Sequence, residues 1–407
     1  MKILHTADWH LGKRLDNVSR FAEQVAVMEE ICEIAERENV DAVIVAGDLY
    51  DTFNPSTESI ELFYKTLKRL ANNGKRAVIA IAGNHDSPDR IEAPDPLARE
   101  CGIIFAGFPN TRITPFSLKN GIEVTSSESG FIEIKLPTID APLRLILTPY
   151  ANEYRIKTFL GMEDSEAELR KVLATKWKEL ADKYCDNKGV NILMTHLYMM
   201  KKGGEEFVEP EDEKPILHIG GAQVIYSENI PKQIQYVALG HLHRKIIVDT
   251  KPCPIIYSSS PLAYSFSEAN QQKYLMLIQV EPGIDVLFNA IPLTKGKKLL
   301  RECFDNIDEA VKWLSNNQNA LVELTIISET FLTGEERKRL GNAHEGIINI
   351  IPVVKNVNEP NENHFNNIDI TKNIEELFVD YFKYKHSQEP NERLINLFKE
   401  ILSTEEQ

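Results

Sequence analysis

No apolar run in these 407 residues approaches the ~18 needed to span a bilayer. The first residues enter a strand-like run at once, without the apolar stretch of a secretory signal. No membrane-spanning helix is expected, and a cytoplasmic protein is. Cysteine is scarce: Cys32, Cys101, Cys185, Cys253 and Cys303 are scattered, odd in number and never closely paired. That argues against a disulfide framework and against a Cys-based zinc site, and it suits a reducing compartment. Positive charge is also in deficit, with a formal net charge of −15. A basic protein would have announced a nucleic-acid partner by its field alone, and this chain does not. Small basic clusters exist at Lys13-Arg14, at Lys201-Lys202 and from Lys295 to Arg301. Bound divalent cations can also reverse the field locally, so charge neither supports nor excludes DNA. There is no internal repeat and no true low-complexity tract.

What is present is a set of short motifs. Asp8-Trp9-His10, Gly47-Asp48, Gly83-Asn84-His85-Asp86 and Gly240-His241-Leu242-His243 follow one another, with a lone His196 before the last. Asp8, His10, Asp48, Asn84, His196, His241 and His243 make seven candidate metal ligands. That is too many for one ion and suits two ions sharing a carboxylate, a device for hydrolysing phosphate esters. Each motif follows a short apolar run: Ile3-Leu4, Val43 to Ala46, Ala77 to Ile81, Val190 to Met194 and Tyr236 to Leu239. Such runs read as strands buried on both faces. The ligands then lie at the C-terminal ends of strands, where open α/β sheets keep their sites. Asp8 and His10, like His241 and His243, are two apart, so each pair can face one site in extended chain.

Helical patterns alternate with the strands. Phe21, Val25, Met28, Cys32 and Ala35 form one stripe. Ile60, Phe63, Leu67 and Leu70 form another, expected to start at Asn54 as cap with Pro55 first in the helix. Leu169 to Tyr184 carries a third. The alternation predicts an α/β sandwich, and the helix-free stretch from 103 to 149 predicts a mixed sheet. A small α+β module is expected over 281–355, including a helix capped by Thr333 and Glu336. Residues 356–370, rich in Asn, read as a linker. Residues 371–407 read as two amphipathic helices burying Ile374, Leu377, Phe378, Tyr381 and Phe382, then Leu394, Leu397, Phe398, Ile401 and Leu402. Two helices are too few for a core of their own, so their stripe is expected to dock on a partner.

The motif order resembles the calcineurin-like metallophosphoesterase superfamily. More narrowly it resembles the double-strand-break-repair nuclease family that includes the nuclease subunits of bacterial SbcCD complexes. The narrower resemblance rests on Leu4-His5-Thr6-Ala7-Asp8-Trp9-His10-Leu11-Gly12, on Gly47-Asp48-Leu49-Tyr50-Asp51, on Gly220-Gly221 and on the run from Ser258 to Glu268. It implies a sandwich of two mixed sheets flanked by helices over 1–280, a DNA-binding capping domain over 281–355, and a terminal helix pair that binds an SbcC-type ATPase with a coiled coil. It implies that Asp8, His10 and His243 hold one ion, that Asn84, His196 and His241 hold the other, and that Asp48 bridges them. Manganese is the implied metal, with magnesium possible. It implies cleavage of duplex ends, hairpins and single strands of DNA. It also implies a homodimer within a heterotetramer, paired through helices after the second and third motifs, here Ile60, Phe63 and Leu67 and the segment 89–100. His85 is the candidate proton donor to the leaving oxygen, with Asp86 orienting its ring.

Two other readings compete: a small-molecule phosphoesterase, which the core motifs would also serve, and a non-catalytic scaffold for DNA ends. The extra module and terminal helices argue against the first, and the complete ligand set against the second. His5 is expected to be structural. His344, His364 and His386 are expected at the surface.

Overall fold

In a computed structural model, the chain is described at residues 1–156, 165–205, 207, 224–330, 332–354, 376–379, 381, 382, 390, 394, 395, 397 and 398. It divides into two compact units. The first holds Met1–Arg301 with Asn319–Val322, and the second Glu302–Gln318 with Glu323–Gln407.

Two sheets make the first unit. One is ordered Leu287–Pro292, Tyr274–Gln279, Lys2–Thr6, Ala42–Ala46, Ala77–Ile81 and Ile103–Ala106. Its last four strands are parallel, and Tyr274–Gln279 runs antiparallel to both neighbours. The other is ordered Ile246–Asp249, Ile255–Tyr257, Tyr236–Leu239, Val190–Thr195, Ile139–Thr148, Phe131–Leu136, Glu123–Glu128 and Phe116–Ser117. Ile139–Thr148, Val190–Thr195, Tyr236–Leu239 and Ile255–Tyr257 are parallel, and the remaining pairs are antiparallel. Both sheets are therefore mixed, as the resemblance implied, and the helix-free stretch supplies the antiparallel strands Ile139–Thr148 to Phe116–Ser117 of the second.

Side chains alternate across each strand, and that alternation sorts the core into layers. Ile3, Ile44 and Ile79 of one sheet pack with Leu145, Ile192 and Ala238 of the other. Leu4, Val43, Val45 and Val78 point the opposite way and meet the helices Phe21–Arg37 and Thr57–Leu70. Leu193, Val237 and Ile255 do the same for the second sheet against helix Ser165–Tyr184. Both faces of the central strands are dry, which is why their sequence shows continuous apolar runs.

Three expectations need correction. The helix after the second motif begins at Thr57 and is capped by Ser56, whose Oγ accepts the N–H of Ser59 at 3.2 Å. Asn54 and Pro55 precede it. The first unit runs past residue 280, because Leu287–Pro292 pairs along the whole of Tyr274–Gln279; Pro282-Gly283 is the turn of a hairpin. Phe63, Leu67 and Leu70 are not available to a partner copy. They are interior, with Phe63 ringed by Trp9, Tyr50, Tyr64 and Phe105, and Ile60 packs partly buried beside them.

A three-stranded sheet is ordered Lys298–Phe304, Ala320–Ser328, Ile347–Val354, and the second unit holds helices Ile307–Asn316 and Gly334–Ala343. Asn306 caps the first helix by accepting the N–H groups of Asp308 and Glu309. Thr333 and Glu336 form the predicted capping box on the second. His344 is buried rather than at the surface. Its Nε2 donates to the carbonyl of Asn317 at 2.9 Å, and its Nδ1 accepts the N–H of Gly346. In the terminal region Phe378 stacks on Phe398 with ring centroids 4.0 Å apart, and Phe382 lies beside them. Leu377 and Leu394 are partly exposed and Leu397 is exposed. Ile374, Ile401, Leu402, the linker, His364 and His386 lie outside the described residues.

Candidate metal centre

The seven predicted ligands converge. Their loops continue the parallel pairing beyond the first sheet: Asp8 N–H bonds the carbonyl of Gly47, His10 that of Asp48 and Leu11 that of Leu49. The second sheet supplies His196 after Val190–Thr195 and His241 after Tyr236–Leu239, and the Gly240 N–H returns to Thr195. Asp8, His10, Asp48, His196, His241 and His243 are buried, while Asn84 and His85 are half-buried. The site is thus open on one side.

Crowding explains the glycines of the motifs. A Cβ on Gly47, whose φ is +93°, would stand 2.2 Å from Nδ1 of His196. One on Gly83 would stand 2.0 Å from Oδ1 of Asp48. Only glycine lets those ligands lie against the backbone. The ligands themselves take left-handed torsions: φ is 54° at Asp8, 42° at His10, 48° at Asp48 and 104° at His241. Side chains avoid this region unless the surroundings over-determine it.

The donor atoms form two groups around Asp48. Nε2 of His10 and Nε2 of His243 face each other at 3.0 Å. Oδ1 of Asn84 faces Nε2 of His196 at 2.9 Å and Nδ1 of His241 at 3.2 Å. Oδ2 of Asp48 lies between, 3.5 Å from His10 Nε2 and 3.3 Å from His196 Nε2. Hydrogen bonds behind the rings fix the tautomers. Nδ1 of His196 donates to the carbonyl of Ala46 at 2.8 Å, and Nδ1 of His243 to Glu268 at 3.3 Å. The front nitrogens therefore carry lone pairs when neutral, and lone pairs point at lone pairs. Oδ2 of Asp8 and Oδ2 of Asp48 are buried without a well-aligned donor. Acceptors converging on acceptors are satisfied by cations, so the residues fit divalent ions. The ligand atoms of Asp8, His10 and Asp48 all lie within 4.8 Å of one another.

Protons stand in for the ions in the pKa values. Burial lifts Asp8 to about 6, against the pull of His196 and His243. Burial also pushes Asp48 up, but His196, His85 and His10 outweigh it and hold the carboxyl well below the usual range. Burial works against a charged His196, yet Asp48 and Asp8 raise it to about 9. Metal must displace that proton, so binding weakens as pH falls.

The predicted contact between Asp86 and the ring of His85 is not there. The Asp86 carboxylate accepts the N–H groups of Gly83, Leu49 and Tyr50 at 2.8–3.0 Å, tying the second motif loop to the third. Nδ1 of His85 instead donates to the carbonyl of Asp51 at 2.9 Å, while its own N–H bonds Oδ1 of Asp48. Arg155, Asp51, Glu268 and Lys273 were not anticipated. The buried Arg155 guanidinium donates to the carbonyls of Gly83 and Asp86 at 2.7 and 2.9 Å, clamping the loop that bears Asn84 and His85. Asp51 and Glu268 stand within motifs already singled out, which was the available signal. His5 spans the two sheets, bonded to Tyr236 Oη and the Leu239 carbonyl, and burial drives its pKa down to about 3.

Comparison with known proteins agrees with this geometry. The family model for the calcineurin-like phosphoesterases matches residues 1–245. A Bacillus subtilis protein, named as the SbcD component of the nuclease SbcCD, is 35% identical over 99% of this chain and 98% of its own. A Staphylococcus epidermidis protein of the same name is 28% identical over the full length of both. Among solved structures, a dimetal phosphatase from Danio rerio aligns with 73% of this chain and 99% of its own at 11% identity, with a TM-score of 0.36, too low to bear on the site. Similarity to curated relatives from end to end, across motif and module alike, shows that the chain belongs to the calcineurin-like phosphoesterases and, within them, to the SbcD family of nucleases.

Proposed function

We propose that this chain hydrolyses DNA phosphodiesters as the nuclease component of an SbcCD-type complex, acting as a 3′–5′ exonuclease on duplex ends and as an endonuclease on single strands and hairpins. The observation that carries the reading is the convergence of buried acceptors on two points beside Asp48. The end-to-end likeness to a protein named as part of the SbcCD nuclease supports it. A small-molecule phosphoesterase would need the metal centre but not the second unit.

Two divalent ions supply, when bound, an acidified water and compensation for charge growing on the phosphoryl oxygens. Manganese is the preferred ion, and the His, Asp and Asn donors also admit magnesium. The protein's part is geometric. Asp86 and Arg155 fix the loop of Asn84 and His85 against that of Asp48. His85, on the open side, donates from Nδ1 to the carbonyl of Asp51, so it is the imidazolium form, protonated on Nε2 as well, that gives a proton to the departing sugar oxygen.

Partners follow from the same reading. The pair of helices around Phe378 and Phe398 binds the SbcC-type ATPase, and the α+β module of the second unit binds DNA. Two chains pair across the helices after the second and third motifs. Since Phe63 and Leu67 are interior, the pairing face uses the exposed Leu97 of the segment 89–100. No helix among the described residues is long and apolar enough to cross a membrane, and the complex works on DNA in the cytoplasm, at the nucleoid.

The test is incubation of the purified chain with labelled duplex, hairpin and single-stranded DNA, in Mn²⁺, Mg²⁺ or chelator, beside a phosphodiester dye. Cation-dependent DNA cleavage, faster with Mn²⁺, is expected. Hydrolysis of the dye alone would replace this reading with the small-molecule one.

A further inference from the structure

The histidines of the metal centre are not backed alike. Nδ1 of His243 faces Oε1 of Glu268 at 3.3 Å, and that oxygen also accepts the N–H of Tyr264 at 3.0 Å. The second carboxylate oxygen takes the ammonium of Lys273. The same ammonium donates to the carbonyl of His243 at 2.7 Å and to Oγ of Ser260 at 3.1 Å. Glu268 is 2% exposed and Lys273 5%. One buried ion pair thus holds both the ring and the backbone of His243. A carboxylate also stands behind His10, but Oδ1 of Asp51 is 3.7 Å from its Nδ1, beyond hydrogen-bond reach, just as Oδ1 of Asp8 is 3.7 Å from Nδ1 of His196. Across Asp48 the backing differs, because Nδ1 of His196 donates to the neutral carbonyl of Ala46.

Burying an ion pair gains a fold little, since desolvation cancels most of the attraction. The pair therefore calls for another explanation, and its position behind a ligand supplies one. A carboxylate behind a ligating imidazole fixes its tautomer and raises its basicity more than a neutral carbonyl does.

We propose that Glu268, held by Lys273, is a positioning residue for His243 that makes the ion position at Asp8, His10 and His243 the tighter of the two. This inference rests on the two-ion reading. Full-length protein titrated with MnCl₂, followed by calorimetry and by electron paramagnetic resonance of the unbound ion, should show two resolved steps. Glu268→Gln keeps the shape and removes the charge. It should weaken the tighter step roughly 10- to 100-fold and leave the other in place.

A merely structural role is separated by Glu268→Met with Lys273→Met, which replaces both charges with apolar side chains. The double variant should recover thermal stability relative to Glu268→Gln, while the tighter step stays weak. Recovery of that step in the double variant overturns the proposal, as does an unchanged or uniform effect of Glu268→Gln on both steps. Wild-type protein that binds fewer than two ions overturns the two-ion reading itself, before any variant is made.

Discussion

In the first unit, Asp8, His10, Asp48 and His241 take left-handed torsions and lie buried among one another. In the second, helices start from ordinary caps at Asn306 and Thr333, and no described residue other than glycine has a left-handed φ. A strained residue of this kind costs about 1–3 kcal/mol. The first unit tolerates several because two sheets with dry faces on both sides over-determine the loops between them. The second holds only part of one three-stranded sheet among its described residues, and no such reserve. Ser259 apart, the other non-glycine residues with left-handed φ are exposed, and the buried ones gather where ions would be held; the contrast can be tested from either side.

The largest effect is expected at the shared carboxylate. Asp48→Ala should abolish cleavage of every DNA substrate and lower the metal content measured by plasma emission, whereas no single change in the second unit should do so. Near-normal rates with normal metal content would remove the basis of the comparison. A step below that, His85→Ala should keep both ions by calorimetry but lower turnover on the order of 10²–10⁴-fold. Collapse of metal binding would instead make His85 part of the ligand set.

In the second unit, Phe378→Glu with Phe398→Glu should destroy the stacked pair and prevent co-purification with the SbcC-type ATPase, because neither charge can be buried unpaired. Metal binding should be untouched. Retained association at full stoichiometry would assign those rings to this chain's own packing. The smallest effect is at the capping box. Thr333→Ala should cost about 1 kcal/mol of stability in urea unfolding, with nuclease rate unchanged.

The parts legible in the sequence are those where chemistry restricts residue type. Metal ligation admits few side chains, so Asp8, His10, Asp48, Asn84, His196, His241 and His243 stood out, and strands buried on both faces gave unbroken apolar runs. The Thr333 and Glu336 box was legible because both partners are local. Arg155 was not, since it meets backbone carbonyls some 70 residues away, and any loop offers those. Glu268 lies in a run already singled out, but nothing local to it or to Lys273 marks the ion pair that the fold places behind His243. Phe63 and Leu67 show the limit of periodicity. An apolar stripe states that a face is covered, but the same spacing serves a neighbouring sheet or a second chain. Asp86 misled because adjacency to His85 suggested a side-chain contact, while its carboxylate turned to three backbone amides.

The loop after the first strand has a further consequence. The amides of Asp8, His10 and Leu11 bond the carbonyls of Gly47, Asp48 and Leu49, although none of these residues belongs to the sheet. In deuterated buffer such amides exchange only when the two loops part. Their protection therefore measures how often the cradle opens, independently of any ion or substrate. Slow exchange there, comparable to the central strands, would mean that the centre is preformed and that metals enter a finished mould.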